Sequence, residues 1–237
     1  MNHRTISGTI LYTSRKPERM GERRGQEHFR FTHHGDGSVI LRAYCEIEEP
    51  APTVLRDVIY SLGPDGKPAD CLLRLTVGDR FMGSGWIRLT SNGAECESYG
   101  PSIGRVSQKV TLDRPLDGFG THPIVADGYL LSRLTFDRGQ RRKLHVMVPS
   151  PDHRGATPPM LAHVHIDAMY VGNETVSVGA GTFAARHYQF LDDGSAGFSA
   201  PHPPYDVWIT DDEDGIFLQG GVGGYMQTWY ELAALER

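Results

Sequence analysis

The chain has 237 residues, 22% charged and 39% hydrophobic, with 28 Gly and 15 Pro, a size and composition that suit one globular domain over residues 1–237. A net charge of −5 speaks against a general nucleic-acid binder, and three widely spaced cysteines (Cys45, Cys71, Cys96) exclude a disulfide framework or a C-x-x-C zinc site. No run reaches the ~18–20 apolar residues of a membrane span, and Met1 to Leu11 carry no signal-peptide pattern, so a cytoplasmic protein with reduced thiols and no membrane partner is expected.

Period-two alternation predicts strands along most of the chain. Glu27 to His33 sets Phe29 and Phe31 against His28, Arg30 and Thr32, and Val39 to Ile47 puts Val39, Leu41, Ala43, Cys45 and Ile47 on one face. Asp36-Gly37 between them suits a hairpin turn. Val54 to Leu62 and Asp70 to Val77 flank a Pro- and Gly-rich turn, and Gly85 to Thr90 and Ala94 to Tyr99 flank Ser91-Asn92-Gly93. Further strands are expected at Val106 to Leu112, Tyr129 to Phe136, Lys143 to Val148, Leu161 to Val171 and Thr175 to Val178. The series continues at Thr182 to Phe190, Asp206 to Thr210, Gly215 to Gln219 and Tyr225 to Leu232. Helix signals are few: a turn near Asp113 to Phe119, an alternative helical reading of Leu130 to Phe136, and helix propensity in the tail Tyr230 to Arg237. The expected fold class is all-β, a large curved antiparallel sheet or lipocalin-like barrel with a central cavity, because so many strands rarely stay open and flat.

The densest chemistry lies in Leu161 to Tyr170, where His163, His165 and Asp167 share one strand face and Val164, Ile166 and Ala168 the other. Pointed into a barrel, these three would suit general acid–base work, with Asp167 orienting His165; pointed outward, they would be a solvated strand face. The H-x-H pair is similar to the start of a cupin metal motif, but the next Glu is Glu174, nine positions past His165. His122, His145 and His187 are further imidazoles that no spacing ties to the pair. No metal and no organic cofactor are therefore expected. The stretch Asp117 to Tyr129 is dense in Asp, His, Gly and Tyr for a loop, which nominates His122, Asp127 and Tyr129. Cys45 and Cys71 alternate with apolar neighbours as small core residues, Asp211 to Gly215 reads as a solvated turn, and Gly220 to Gly224 as a flexible one.

Val176-Ser177-Val178-Gly179-Ala180-Gly181-Thr182-Phe183, followed by Tyr205-Asp206-Val207-Trp208-Ile209, resembles the V-x-V-x-A-G-x-F hairpin and Trp-containing strand of a group of bacterial lipocalin-like β-barrel proteins. The resemblance covers about 60 C-terminal residues and implies a curved antiparallel barrel, with no catalytic residue attached. Many members of that group are exported, from which the cytoplasmic expectation departs.

The functional expectation is a cofactor-independent enzyme of lyase, isomerase or hydratase type acting on a small hydrophobic or aromatic molecule. Its catalytic residues would be His163, His165, Asp167, His122 and Tyr129, with Tyr44, Arg42, Trp86, His187 and Trp208 binding substrate. Arg74, Arg88, Arg133 and His145 would add polarity to the pocket. The alternative is a non-catalytic lipocalin-like binder. Expected partners are the small ligand and further copies of the chain in a homo-oligomer.

Overall fold

A computed structural model describes residues 3–152, 154–198 and 200–237. Fifteen strands form one sheet: β1 (Arg4–Ser14), β2 (Arg23–His33), β3 (Val39–Ile47), β4 (Val54–Leu62), β5 (Pro68–Val77), β6 (Arg80–Thr90), β7 (Gly93–Gly100), β8 (Gly104–Thr111), β9 (Gly118–Phe119), β10 (Arg141–Val148), β11 (Ala162–Val178), β12 (Gly181–Leu191), β13 (Tyr205–Thr210), β14 (Phe217–Val222) and β15 (Thr228–Glu236). The spatial order runs β8 back to β1, then β15 back to β9. Thus β1 and β15 meet at the centre of the sheet, and β8 and β9 are its edges. Every named pair is antiparallel except β9–β10. The all-β expectation holds in its curved-sheet form, because the hydrogen-bonded ladder does not close into a barrel.

Side chains bridge part of the gap instead. Leu161, just ahead of β11, donates its N–H to Gln108 Oε1 on edge strand β8 at 2.8 Å. Pro158 and Pro159 lie against Gly83, Gly85 and Gly100 on β6 and β7, where a Cβ would meet them at 2.8–3.2 Å. Those glycines let Pro158 and Pro159 lie close on the sheet.

The inward rows are mainly apolar: Ile6, Ile10 and Tyr12 on β1, Phe29 and Phe31 on β2, Leu41 and Ala43 on β3, Val207 and Ile209 on β13. All three cysteines are free and buried, as small core residues.

Several local expectations change. Tyr129 to Phe136 is not a strand: Ile124–Ser132 forms α1, which follows Pro123 and packs Gly128 against Ile209 and Phe217. The C-terminal tail is not helical, because Tyr230 and Leu232 are needed inside and β15 pairs with β1, a strand the N-terminal sequence had not suggested. The two predicted runs from Leu161 to Val178 are one strand, β11, irregular between Tyr170 and Gly172. Gly220 and Gly221 belong to β14 rather than a turn, and a Cβ on Gly221 would lie 2.7 Å from the Trp229 ring. In the acidic turn, Asp214 is buried in an ion pair with Arg4, whereas Asp211, Asp212 and Glu213 before it are exposed. Among the described residues no helix is long and apolar enough to cross a membrane.

Candidate functional site

Pro123 has no side-chain donor or acceptor to cap α1, so the first N–H groups of the helix need a partner from elsewhere. Glu27, inward-facing on β2 and fully buried, supplies it. Its carboxylate accepts hydrogen bonds from the Ile124 N–H at 2.7 Å, the Val125 N–H at 3.1 Å and the Tyr12 hydroxyl at 2.8 Å. Burial raises the Glu27 pKa, although these bonds and the Cys45 thiol oppose the shift. This anchor fixes α1 across the interior.

One face of α1 then borders a cavity of about 130 Å³. Its walls are Val146 and Val148 on β10, Val164 and Ile166 on β11, with Leu130, Phe190, Phe198, Val222 and Met226. Four polar side chains enter this apolar space: His122, Asp127, His202 and Tyr205, with Tyr230 at the side. Asp127 keeps some accessible surface while facing this space, and no hydrogen bond is found for its carboxyl among the described residues. Desolvation, reinforced by the Glu27 charge, holds its pKa well above the usual carboxylate range. The Tyr205 hydroxyl is buried without a hydrogen-bond partner, and its pKa is driven up by burial and then by Asp127. Burial pushes the Tyr230 pKa up to about 12. Unpartnered polar groups in an apolar cavity are costly to fold unless a ligand answers them.

The cavity adjoins a second hollow of about 280 Å³, with which it shares His122, Ile124, Met226 and Tyr230. Four cations line this hollow, Lys16, Arg24, Arg56 and Arg154, against two acids, Glu49 and Asp152. Glu49 is shared by Lys16 at 3.4 Å, Arg19 at 2.5 Å and Arg24 at 3.9 Å. Asp152 is occupied by the Ala156 N–H at 2.7 Å. Arg56 is 1% exposed, and its guanidinium donates to the backbone carbonyls of Arg154 and Gly155. No carboxylate lies within ion-pair distance of Arg56 among the described residues. The Arg154 pKa is lowered by burial, and its neighbours Arg24 and Arg56 add to the effect while Asp152 opposes it. The hollow therefore carries more positive charge than its carboxylates balance.

The expected catalytic strand face lies on the other side of the wall. Val164, Ile166 and Ala168 are buried inward, so period two turns His163, His165 and Asp167 outward, where both histidines are exposed. No hydrogen bond links Asp167 to His165 among the described residues. Of the expected catalytic set only His122 lines the cavity. Tyr129 sits on α1, stacked on Phe31 at 5.1 Å with Arg133 over its ring at 4.4 Å, beside a separate recess containing His33. The expected substrate-binding residues also occupy outward positions. Arg42 and Tyr44 flank a shallow groove with His28 and Asp57. Trp86 is 39% exposed on β6. His187 stacks on Trp208 at 4.0 Å and contacts Asp206 at 2.8 Å. In each case the alternate residues are the larger apolar set and claim the interior.

His163 and His165 belong to a cluster that spacing along β11 did not show. The antiparallel register sets His145 of β10 opposite His165, and His163 lies on the same face. The ring nitrogens of all three come within 4.8 Å of one another. His145 is buried, and its pKa is lowered by desolvation, then by Arg114, His165 and His163.

No protein-family model matches the chain, and no curated protein matches it in sequence. Solved structures do resemble it in shape. A β-barrel-like protein of the domain of unknown function DUF1849 from Brucella abortus is 14% identical, with a TM-score of 0.58 over 99% of this chain and 96% of that one. A DUF1089 family protein from Pseudomonas aeruginosa is 10% identical, with a TM-score of 0.46 over 85% and 90%. The first of these supports a β-barrel-like fold of the kind found in bacterial proteins; at such identity it speaks to fold alone.

Proposed function

We propose that the protein binds a small amphipathic anion, with its apolar part in the 130 Å³ cavity and its acidic group in the adjoining cationic hollow. The observation that carries this reading is Arg56, a fully buried guanidinium with carbonyl partners and no carboxylate among the described residues, in the wall of the cationic hollow. A buried, unbalanced cation is costly, and a ligand carboxylate would offset that cost with a charge-assisted, two-pronged contact. The apolar space is comparable with the ~150 Å³ cavity known to hold benzene, which suits a short alkyl chain or one aromatic ring. Tyr205 and Asp127, whose pKa values burial raises, line the same apolar space and could bond a ligand that carries a further polar atom. The test is calorimetry with hexanoate and 3-phenylpropionate, with 1-hexanol as the neutral control. The two acids are expected to bind one per chain, and Arg56→Met is expected to weaken them at least ~10-fold while leaving 1-hexanol unchanged, as loss of a charged hydrogen bond costs ~1.5–3 kcal/mol. Equal affinity for acid and alcohol would contradict the proposal.

Acid–base catalysis keeps one supporting observation, the raised pKa of Asp127 beside His122 in the same cavity. Turnover of a bound compound that stops in Asp127→Asn would favour a lyase or isomerase over a carrier.

A further inference from the structure

We propose that His145, His163 and His165 bind one divalent first-row transition ion, zinc foremost, on the outer face of the β10–β11 hairpin. The site is separate from the cavity, although both use the same two strands: Val146, Val148, Val164 and Ile166 face inward and the imidazoles outward.

The backbone sets the geometry. His145 and His165 are direct register partners, and His163 pairs with Met147 two steps along. Asp117 fixes the β10 side: its carboxylate accepts the His145 N–H at 2.8 Å, and its own N–H donates to the His145 carbonyl at 2.9 Å. On the other side β12 has already ended, and the His165 N–H donates to the Ala196 carbonyl at 2.8 Å. Three imidazoles therefore stand on tethered backbone, which a precise ligand set requires.

One nitrogen pair already has the spacing of a tetrahedral ion, within a set that spans up to 4.8 Å. His145 Nε2 and His163 Nδ1 are 3.3 Å apart, and two ligands at Zn–N ≈ 2.0–2.1 Å in a tetrahedron are separated by about 3.3–3.4 Å. The rings lie nearly parallel, 2–13° between planes, so their lone pairs must turn to meet at one point. The exposed His163 and His165 rings can do so, because the terminal torsion of histidine has broad minima and no hydrogen bond holds the His165 ring among the described residues. His145 is 3% exposed and its Nδ1 has no partner.

The donor set selects the ion. Three neutral imidazoles suit zinc, copper, nickel or iron, whereas calcium and magnesium require oxygen ligands that this cluster lacks. A three-histidine set with two exposed members leaves the fourth position to water.

The experiment uses tag-free protein, stripped with chelator and dialysed. Zinc calorimetry is expected to give one site per chain, cobalt to give the visible absorption of a four-coordinate ion, and magnesium to give no heat. His163→Ala and His165→Ala are each expected to weaken zinc by more than the ~10–100-fold that loss of an outer partner costs, with unchanged circular dichroism. His145→Gln tests the third ligand, and circular dichroism separates lost coordination from lost folding. His187→Ala is the control, because His187 lies elsewhere on the outer face beside Glu174 and Asp206. No binding at tenfold excess zinc, affinity unchanged in both exposed-histidine variants, or loss only in His187→Ala would each overturn the proposal.

Discussion

Glu27 on β2 accepts a hydrogen bond from the Ile124 N–H at 2.7 Å, joining two positions 97 residues apart and seating α1 in the interior. A strand side chain thus performs the capping that Pro123 cannot. Glu27→Gln keeps the shape but weakens the charge-assisted bonds its carboxylate accepts and should lower unfolding free energy by ~1–3 kcal/mol. Glu27→Ala, which also opens a void, should cost more. Urea denaturation measures both, and a neutral Glu27→Ala would mean that α1 is seated by packing alone.

Asp127 makes stability depend on pH in a defined direction. Its folded pKa is raised, so the folded state binds a proton that the unfolded chain has already released. Stability is therefore full below the ordinary aspartate range and falls as pH rises through the raised folded value. Glu27 is shifted the same way and adds to the slope. Asp127→Asn should flatten part of the decline from the ordinary aspartate range up through the raised folded value and leave the variant more stable than the parent at the alkaline end. Melting temperatures across that range check it; a parallel offset with no change of slope would contradict it.

Filling the cavity separates folding from binding. Val164→Phe extends a wall residue into space that the structure leaves between β11 and α1. It should change stability by less than ~1–3 kcal/mol, the usual cost of overpacking, yet abolish binding of 3-phenylpropionate. Thermal melts and calorimetry on the same sample read both effects.

Much of the fold was legible because antiparallel strands with one buried face write period two into the sequence, as Val39 to Ile47 and Val54 to Leu62 do. The β1 strand was harder to see: Gly8 interrupts its apolar row of Ile6, Ile10 and Tyr12, and its partners are a hairpin neighbour and the far C-terminus. The tail misled because Leu232 to Leu235 carries helix formers, whereas pairing with β1 decides the outcome.

The site was less legible, for a physical reason. His163, His165 and Asp167 attracted notice as polar residues sharing a strand face, but that regularity is what a solvated face produces. The informative signal was the opposite one, a charge in an otherwise apolar row: Glu27 with Phe29 and Phe31, and Arg56 with Val54, Val58 and Tyr60. Both are buried, and both border the interior spaces through Tyr12, Ile124 and Arg154. The third histidine of the outer cluster could not be seen along β11, because His145 reaches it through pairing with the neighbouring strand.

At the open seam, Gln108 links edge strand β8 to Leu161 with both amide atoms, donating to the carbonyl at 3.5 Å and accepting the N–H at 2.8 Å. Gln108→Ala should cost ~1 kcal/mol and speed amide exchange at Leu161. Hydrogen exchange of that amide checks it, and protection equal to the parent would show that Pro158 and Pro159 hold the seam unaided.

Methyl-resolved NMR of the protein titrated with hexanoate reads binding in the interior residue by residue. An amphipathic anion seated in the interior should shift the methyls of Val146, Val148, Val164 and Ile166 together with the Arg56 guanidinium resonance, saturating at one ligand per chain, while the outer rings of Trp86 and Trp208 stay put. Shifts confined to those outer rings, or none at millimolar ligand, would contradict it.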